Sequence, residues 1–409
     1  MRFLHAADIH LDSPLRGLDQ YEGAPVDVLR GATRKAFQAL VQLAIAERVD
    51  FVILAGDLYD GDWPDYNSGL FFVSGMRELE KAKIPVLLIR GNHDAESRTT
   101  HYLTLPDNVH SFATSEPSTK KLDELRVALH GQGFAKQAET RNLAANYPAP
   151  VSGYFNIGIL HTALDGREGH ANYAPCTVGE LIARDYDYWA LGHIHQRESV
   201  NGTQRPRIEF PGNVQGRHAR ETGAKGCLLV TVDGARVTTE FRPLDVVRWQ
   251  VLVVDGADAE SAADLLAIVR AAVSAAQDEA EGRPLAVRLV LTCPDALRHR
   301  VAADADQFRA ELAAQFGKDV WIEKIKWKQL PSTAASSPIL SEDAASELRT
   351  VLAEIQADPE AAWEDFAAGE CEKLLKSLPA NLRNVAKESW NDIVARAAVL
   401  LQASAEDQS

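Results

Sequence analysis

The sequence predicts a layered α/β (α+β) fold followed by a helical tail. Three observations predict it: apolar strands alternate with helical stretches through residue 244, a second such alternation fills 246–328, and only helical patterning follows. In the first part RFLHAA (2–7), FVILA (51–55), VLLI (86–89), FNIGIL (155–160) and YDYWAL (186–191) read as buried strands. Between the first two, Phe37, Leu40, Val41 and Ala44 recur at helical spacing, which predicts a helix over 29–47 packed by one face onto the sheet. Turn signals close several strands: Gly56-Asp57, Gly91-Asn92 and Gly192-His193. Loops at strand ends are favoured places for functional groups in such sheets.

The second part reads strand (248–254), helix (259–279), strand (285–292), helix (303–316), strand (320–328), a small α/β unit of its own. LPSTAASSP (330–338) is small, polar and bounded by proline, as a linker should be. Beyond it, Leu348, Val351, Leu352 and Ile355 form one apolar stripe, with Glu342 and Asp343 placed for the N-terminal dipole. Pro359 opens a second helical stretch, and Trp390, Ile393, Val394 and Ala397 mark a third over 381–402. The expected organisation is therefore 1–244, a capping unit at 245–329, a linker at 330–338 and a helical region at 339–409.

Composition places the 409-residue chain among soluble globular proteins, because 46% hydrophobic and 25% charged residues are neither a disordered nor a membrane balance. No apolar run approaches the roughly 20 residues of a membrane span, and MRFLHAADIH lacks the apolar stretch of a secretory leader, so a cytoplasmic location is expected. The four cysteines stand far apart, which suits reduced thiols. A formal charge of −15 runs against nucleic-acid binding until it is divided along the chain. Residues 1–244 hold 26 basic against 30 acidic side chains, and 245–337 hold 11 against 14. The last 72 residues hold 6 against 14, so the tail supplies over half of the net charge.

Five segments carry candidate chemistry: Asp8-Ile9-His10, Gly56-Asp57, Gly91-Asn92-His93-Asp94, His161, and Gly192-His193-Ile194-His195. Nearly all follow a predicted strand. Carboxylate, amide and imidazole donors in this mixture suit borderline metals such as manganese, iron or zinc. Alternation along an extended segment would turn Asp8 with His10, and His193 with His195, toward one site. Seven donors exceed the needs of one ion, whereas two ions sharing a carboxylate can use them all, clamp a phosphate and lower the pKa of a bridging water. A lone Asp-x-His is usually chance; the ordered conjunction is not.

These five motifs resemble those of the calcineurin-like metallophosphoesterases. Within that family RFLHAADIHLDSPL, GDLYDGDWPD, RGNHD and LGHIHQ followed by PGN are most similar to bacterial SbcD-type DNA repair exonuclease subunits, over about residues 1–215. The resemblance implies a four-layer β-sandwich flanked by helices, with two divalent ions, Mn2+ foremost and Fe, Zn or Mg as alternatives, between the strand ends. It would put Asp8, His10, Asp57 and His195 on one ion, and Asp57, Asn92, His161 and His193 on the other. His93 looks like the catalytic residue outside the ligand set, with Asp94 orienting it, although a structural Asp94 is the competing reading. The implied activity is exonucleolytic hydrolysis of DNA in repair, beside a coiled-coil SMC-like ATPase gripped through the C-terminal helices; a homodimer is also compatible.

Two departures matter. Asp60 of GDLYD stands where archaeal and eukaryotic relatives carry a His, and it is given no catalytic role here. The stretch PGNVQGRHARETGAKG (211–226) replaces a Gly-Ser-Pro, and Arg217, His218 and Arg220, with Arg205, Arg207 and Lys225, form the best basic feature of the chain, either a phosphate contact or a solvated loop. Lys324, Lys326 and Lys328 alternate with Ile325 and Trp327 and read as a solvated face over a core face, while His5 reads as a core histidine. The alternative functions are phosphoesterase chemistry on a small nucleotide, cyclic nucleotide or phosphoprotein, and a binding subunit built around the tail.

Overall fold

The computed structural model describes residues 1–13, 25–60, 66–96, 104–166, 172–303, 305–328 and 363. The chain divides into two units, Met1–Leu330 and Pro331–Ser409. The tail helices expected over 339–409 and the linker at 330–338 lie outside the described residues, apart from Trp363.

In the first unit, β1 (Arg2–Ala6), α1 (Val26–Ala46), β2 (Phe51–Ala55), α2 (Tyr66–Lys81), β3 (Val86–Ile89), the short helix α3 (Asn92–Glu96) and β4 (Val109–Ser111) open the chain. They are followed by β5 (Ser118–Leu122), β6 (Val127–Gly131), β7 (Phe155–His161), α4 (Val178–Ala183), β8 (Tyr188–Gly192), β9 (Glu198–Ser199) and β10 (Arg207–Phe210), and then by β11 (Gly226–Asp233) and β12 (Arg236–Pro243). Two six-stranded sheets result, ordered β12-β11-β1-β2-β3-β4 and β5-β6-β7-β8-β10-β9. The two sheets face each other across an apolar layer in which Phe3 stacks on Phe51 at 4.8 Å and meets Tyr188 edge-on at 5.4 Å. Each such buried ring contributes roughly 1.5–3 kcal/mol.

The outer face of the first sheet is covered by α1 and α2 through Phe37, Leu40, Phe72 and Met76. The outer face of the second is covered by α4 and by loops, through Leu181, Phe134 and Tyr147 against Trp189. The expected four-layer sandwich is therefore present. Helix α1 begins three residues before its predicted start, just after Pro25, and buries Leu29, Ala32, Thr33 and Ala36 ahead of the predicted stripe. Strand β8 starts two residues later than predicted, because Tyr186 turns out to stack on His130 and donate its hydroxyl to Pro148 O.

Strands β1, β2 and β3 run parallel, as do β7 and β8, so their C-terminal ends meet along one edge of the sandwich. That common edge positions the candidate site.

The remaining elements are β13 (Arg248–Asp255), α5 (Ala262–Glu279), β14 (Leu285–Thr292), α6 (Asp295–Ala303), α7 (Ala305–Phe316) and β15 (Val320–Trp327). The three strands form a separate parallel sheet with its own core of Leu265, Val269, Val273, Leu289 and Leu312. Helix α5 is opened by a Ser261–Asp264 capping box at its N-terminus. Trp249, Ala286 and Trp321 at the start of this sheet pack against Leu29, Ala32 and Ala219, which seats it on α1 and on the loop that follows β10. Lys324, Lys326 and Lys328 are exposed, as read from their alternation.

Candidate metal centre

Of the ligand candidates only His161, the last residue of β7, lies on a strand. β1 ends at Ala6, and Asp8 and His10 adopt φ of 52° and 45°; Asp57 follows β2 at 52° and His193 follows β8 at 96°. These are left-handed conformations that cost a non-glycine residue about 1–2 kcal/mol each. The expectation that strand alternation brings Asp8 to His10 is thus corrected: tight turns beyond the strand ends do it. The turn after β1 is held against the one after β2, with Asp8 N donating to Gly56 O at 3.0 Å and His10 N to Asp57 O at 3.1 Å.

Two clusters form there. Besides a grouping of His10 with Asp60 and His93, these are the clusters of predicted ligands: Asp8, His10 and His195 make one, and Asp57, His161 and His193 the other. All but His195 are buried, and its side chain is 21% exposed, so the centre opens toward solvent on that side. Asp57 Oδ2 lies 3.4 Å from His161 Nε2 and 3.8 Å from His10 Nε2, the position of a carboxylate shared between two ions. Asn92 Oδ1 lies 3.0 Å from His161 Nε2, which adds the amide to the second cluster. All seven predicted ligands therefore converge.

Two glycines of the motifs have a steric reason. A Cβ on Gly91 would overlap the Asp57 carboxylate, and one on Gly192 would overlap the Ala55 carbonyl.

The donor chemistry fits cations. His161 Nδ1 donates to Ala55 O at 2.9 Å, so Nε2 can meet Asn92 Oδ1 and Asp57 Oδ2 only by taking a second proton. Burial opposes that proton, yet Asp57 and Asp8 push the imidazole up to about 9. A divalent ion would occupy the place of this proton. In the first cluster, His10 Nε2 and His195 Nε2 approach to 3.2 Å, and burial with Arg217 nearby holds His10 down to about 3. Burial raises the Asp8 carboxyl. Asp57 is also raised by burial, but His161, His10 and His93 more than reverse this and hold it well below the usual range. His10 Nδ1 is buried without a hydrogen-bond partner among the described residues.

His93 is the most open of these groups, its side chain 34% exposed, and its backbone N–H donates to Asp57 Oδ1 at 3.0 Å. Its Nδ1 is 3.1 Å from Asp60 Oδ1. The expectation that Asp94 orients His93 is corrected here. Asp94 is buried and accepts from Leu58 N (2.9 Å), Tyr59 N (3.1 Å) and Gly91 N (2.9 Å), joining the turns after β2 and β3. Burial and the like charge of Asp57 push it up to about 6. Asp60, for which the sequence supports no catalytic role but leaves a supporting one open, takes the orienting place. Burial raises Asp60, but the His10 imidazole 3.7 Å away, His93 and a hydrogen bond from Ser13 hold it far below the ordinary carboxylate range.

The basic loop is also redistributed. Arg217 is nearly buried and pairs with Glu221 at 2.9 Å and Asp60 at 3.4 Å, so it is an internal strut rather than an open phosphate contact. His218 is half-exposed, 3.7 Å from Glu221. Arg220 is exposed beside it, its backbone N–H on His218 Nδ1. Arg205 pairs with Asp185 and Asp187, and Arg207 is buried against Glu209, all at the far ends of β8 and β10 from the metal ligands. Lys225 Nζ donates to His195 O at 2.8 Å. Glu221, which no motif flagged, accepts from His195 Nδ1 at 2.7 Å; a lone acid within RHARETGAK was the available signal. His5 is a satisfied core histidine, between Tyr188 Oη (3.0 Å) and Leu191 O (3.1 Å).

Two sheets whose strand ends gather paired Asp and His clusters around a shared carboxylate define a phosphoesterase of the dimetal type, and the chain belongs to the calcineurin-like metallophosphoesterase family. Residues 1–197 match the calcineurin-like phosphoesterase profile, and residues 249–329 match the middle domain of metallophosphoesterase YhaO. One relative is the uncharacterized metallophosphoesterase YhaO of Bacillus subtilis (strain 168), 34% identical over 332 residues that cover 80% of each chain. Among solved structures, a dimetal phosphatase from Danio rerio aligns at 12% identity with a TM-score of 0.37, over 60% of this chain and 96% of that one. No helix among the described residues is long and apolar enough to cross a membrane.

Proposed function

We propose that this metallophosphoesterase is a nuclease that hydrolyses phosphodiester bonds of DNA, exonucleolytically and in repair. The observation that carries the reading is the position of the α/β unit. Trp249 Nε1 donates to Gly216 O at 3.0 Å, and Gln215 binds the backbone of Val246 and Val247, on the same loop whose Glu221 holds His195. An accessory sheet fastened beside an open centre suits a polymer. The SbcD-like motifs of residues 1–215 support the same substrate. Manganese as the metal, a cytoplasmic location and a coiled-coil ATPase held through 339–409 belong to this reading as well.

Asp8, His10, Asp57 and His195 would hold one divalent ion and Asp57, Asn92, His161 and His193 the other; together they would supply Lewis acidity and an activated water. The chain's own part is orientation and proton transfer. Asp60 stays ionised and accepts a hydrogen bond from His93 Nδ1–H; with Asp57 it favours the imidazolium against burial, and the imidazolium's Nε2–H can give its proton to the departing oxygen. The test is hydrolysis of end-labelled single- and double-stranded DNA with Mn2+, beside cyclic nucleotides, mononucleotides and a phosphopeptide. Cleavage of DNA that His93→Ala abolishes is expected. Turnover of a small phosphoester alone would replace the proposal with the small-substrate alternative, and full activity in His93→Ala would remove His93 from the mechanism.

A further inference from the structure

The loop between β10 and β11 holds an ion-pair relay that no motif predicts. Glu221 is buried, and both of its oxygens are engaged. Oε1 accepts from His195 Nδ1 at 2.7 Å and from Arg217 at 2.9 Å. Oε2 accepts from the Arg217 backbone N–H at 2.7 Å and from Asn213 Nδ2 at 3.0 Å. Because a carboxylate only accepts, His195 must carry its proton on Nδ1, and its Nε2 lone pair faces Asp8 and His10. On its other side the Arg217 guanidinium reaches Asp60 Oδ2 at 3.4 Å, and Asp60 is the partner of His93. The relay is anchored: Lys225 holds the His195 carbonyl, and Gln215 and Gly216 tie the loop to β13.

We propose that Glu221 and Arg217 are positioning residues of the metal centre. Glu221 fixes the tautomer and ring plane of the metal-ligating His195, and Arg217 couples that carboxylate to the Asp60–His93 pair, so one relay sets both the ligand and the acid. The inference rests on the two-metal reading of the site and is independent of whether the substrate is DNA.

The planar fork of arginine can serve Glu221 and Asp60 together, whereas lysine presents a single charged point. Removal of a group that holds a ligating imidazole lowers metal affinity about 10–100-fold. The experiment uses the full chain stripped of metal, with Mn2+ titrated calorimetrically, and bis(p-nitrophenyl) phosphate as a generic phosphodiester. Glu221→Gln should bind Mn2+ about 10–100-fold more weakly, with Glu221→Asp recovering part of the loss. Arg217→Lys should retain more of the metal affinity than Glu221→Gln and lose kcat with little change in KM.

Wild-type Mn2+ affinity in a folded Glu221→Gln protein would overturn the assignment. Should that variant fail to fold, nitrogen-15 histidine spectra of the metal-free wild type decide: an Nδ1–H tautomer at His195 upholds the relay and an Nε2–H tautomer overturns it. Weakened Mn2+ binding in a protein that ignores DNA would sustain this inference while removing the nuclease reading.

Discussion

Replacing Asp60 with Asn separates the two carboxylates that compete for the role of orienting His93. Asp60 is an ionised acceptor 3.1 Å from His93 Nδ1, and a charge-assisted hydrogen bond is about twice as strong as a neutral one. Asparagine keeps the shape but not the charge. The loss of about 1.5–3 kcal/mol, read through transition-state stabilisation, predicts a fall in kcat of roughly 10–100-fold. His93→Ala should cost more, about 10²–10⁴-fold, and the double variant should lie within a few-fold of His93→Ala, because Asp60 acts through the imidazole. Asp94→Asn should behave otherwise. Its carboxylate accepts three backbone N–H groups, and an amide that turns its NH2 toward one of them leaves a buried donor unpaired, at about 1–3 kcal/mol of stability. The assay is steady-state hydrolysis of bis(p-nitrophenyl) phosphate at saturating Mn2+, alongside thermal melts. If Asp94→Asn matched His93→Ala in kcat while Asp60→Asn kept full activity, the assignment would fail.

Three further outcomes are expected. Gly192→Ala pushes a methyl group into the Ala55 carbonyl that receives the His161 proton, so the variant should melt lower and retain less than two Mn2+ per chain by elemental analysis. Chelation of the wild type should lower its melting midpoint, because each ion present at about 100 times its dissociation constant adds roughly 2.7 kcal/mol; an unchanged midpoint would mean no bound metal. His5 sets a pH window: burial holds it down to about 3 against an unfolded value near 6.5, with Nε2–H on the Leu191 carbonyl. Above pH 6.5 neither state is protonated and stability is complete, whereas between 6.5 and 3 the unfolded chain takes the proton first. Stability then falls by about 1.4 kcal/mol per pH unit, or about 2 kcal/mol at pH 5, and urea unfolding of His5→Gln should show a pH 7 to pH 5 loss smaller by that amount.

The ligands were legible in the sequence because each stands where an apolar run stops. Asp57, Asn92 and His193 follow FVILA, VLLI and YDYWAL, and the structure ends β2, β3 and β8 within three residues of them. Their backbone was not legible, since left-handed φ at Asp8 and His10 is imposed by contacts to the turn after β2, far along the chain. Edge strands were missed for a related reason. STKKL of β5 is mostly exposed, RVTTEFRP of β12 mixes exposed with half-buried residues, and neither holds a fully buried one, so they become strands by pairing with β6 and β11 rather than by burying a face. The basic loop misled because its partners are distant or modest in sequence. Arg205 meets Asp185 and Asp187 across the β8–β10 pairing, and Arg217 reaches Asp60 across 157 positions.

Four left-handed ligands, two buried carboxylates and the buried His161 imidazole, pushed toward its charged form by Asp57 and Asp8, place the cost of the centre in one small volume. At about 1–2 kcal/mol per left-handed residue the backbone alone opposes folding by several kcal/mol, before any desolvation of Asp8 and Asp57 is added. The surroundings hold this arrangement from three sides. The apolar layer between the sheets fixes the strand ends, backbone amides of His193 and His93 occupy Asp8 and Asp57, and Asp94 binds the turn after β2 to the turn after β3. Asp57 and Asp8 favour a proton on His161 where a cation would bind, so metal uptake should release protons and strengthen as pH rises, which calorimetric Mn2+ titration at several pH values measures. The same groups that make the site costly to fold therefore make it ready for two ions: the donors are already converged, and binding requires a change of protonation rather than a rearrangement of the chain.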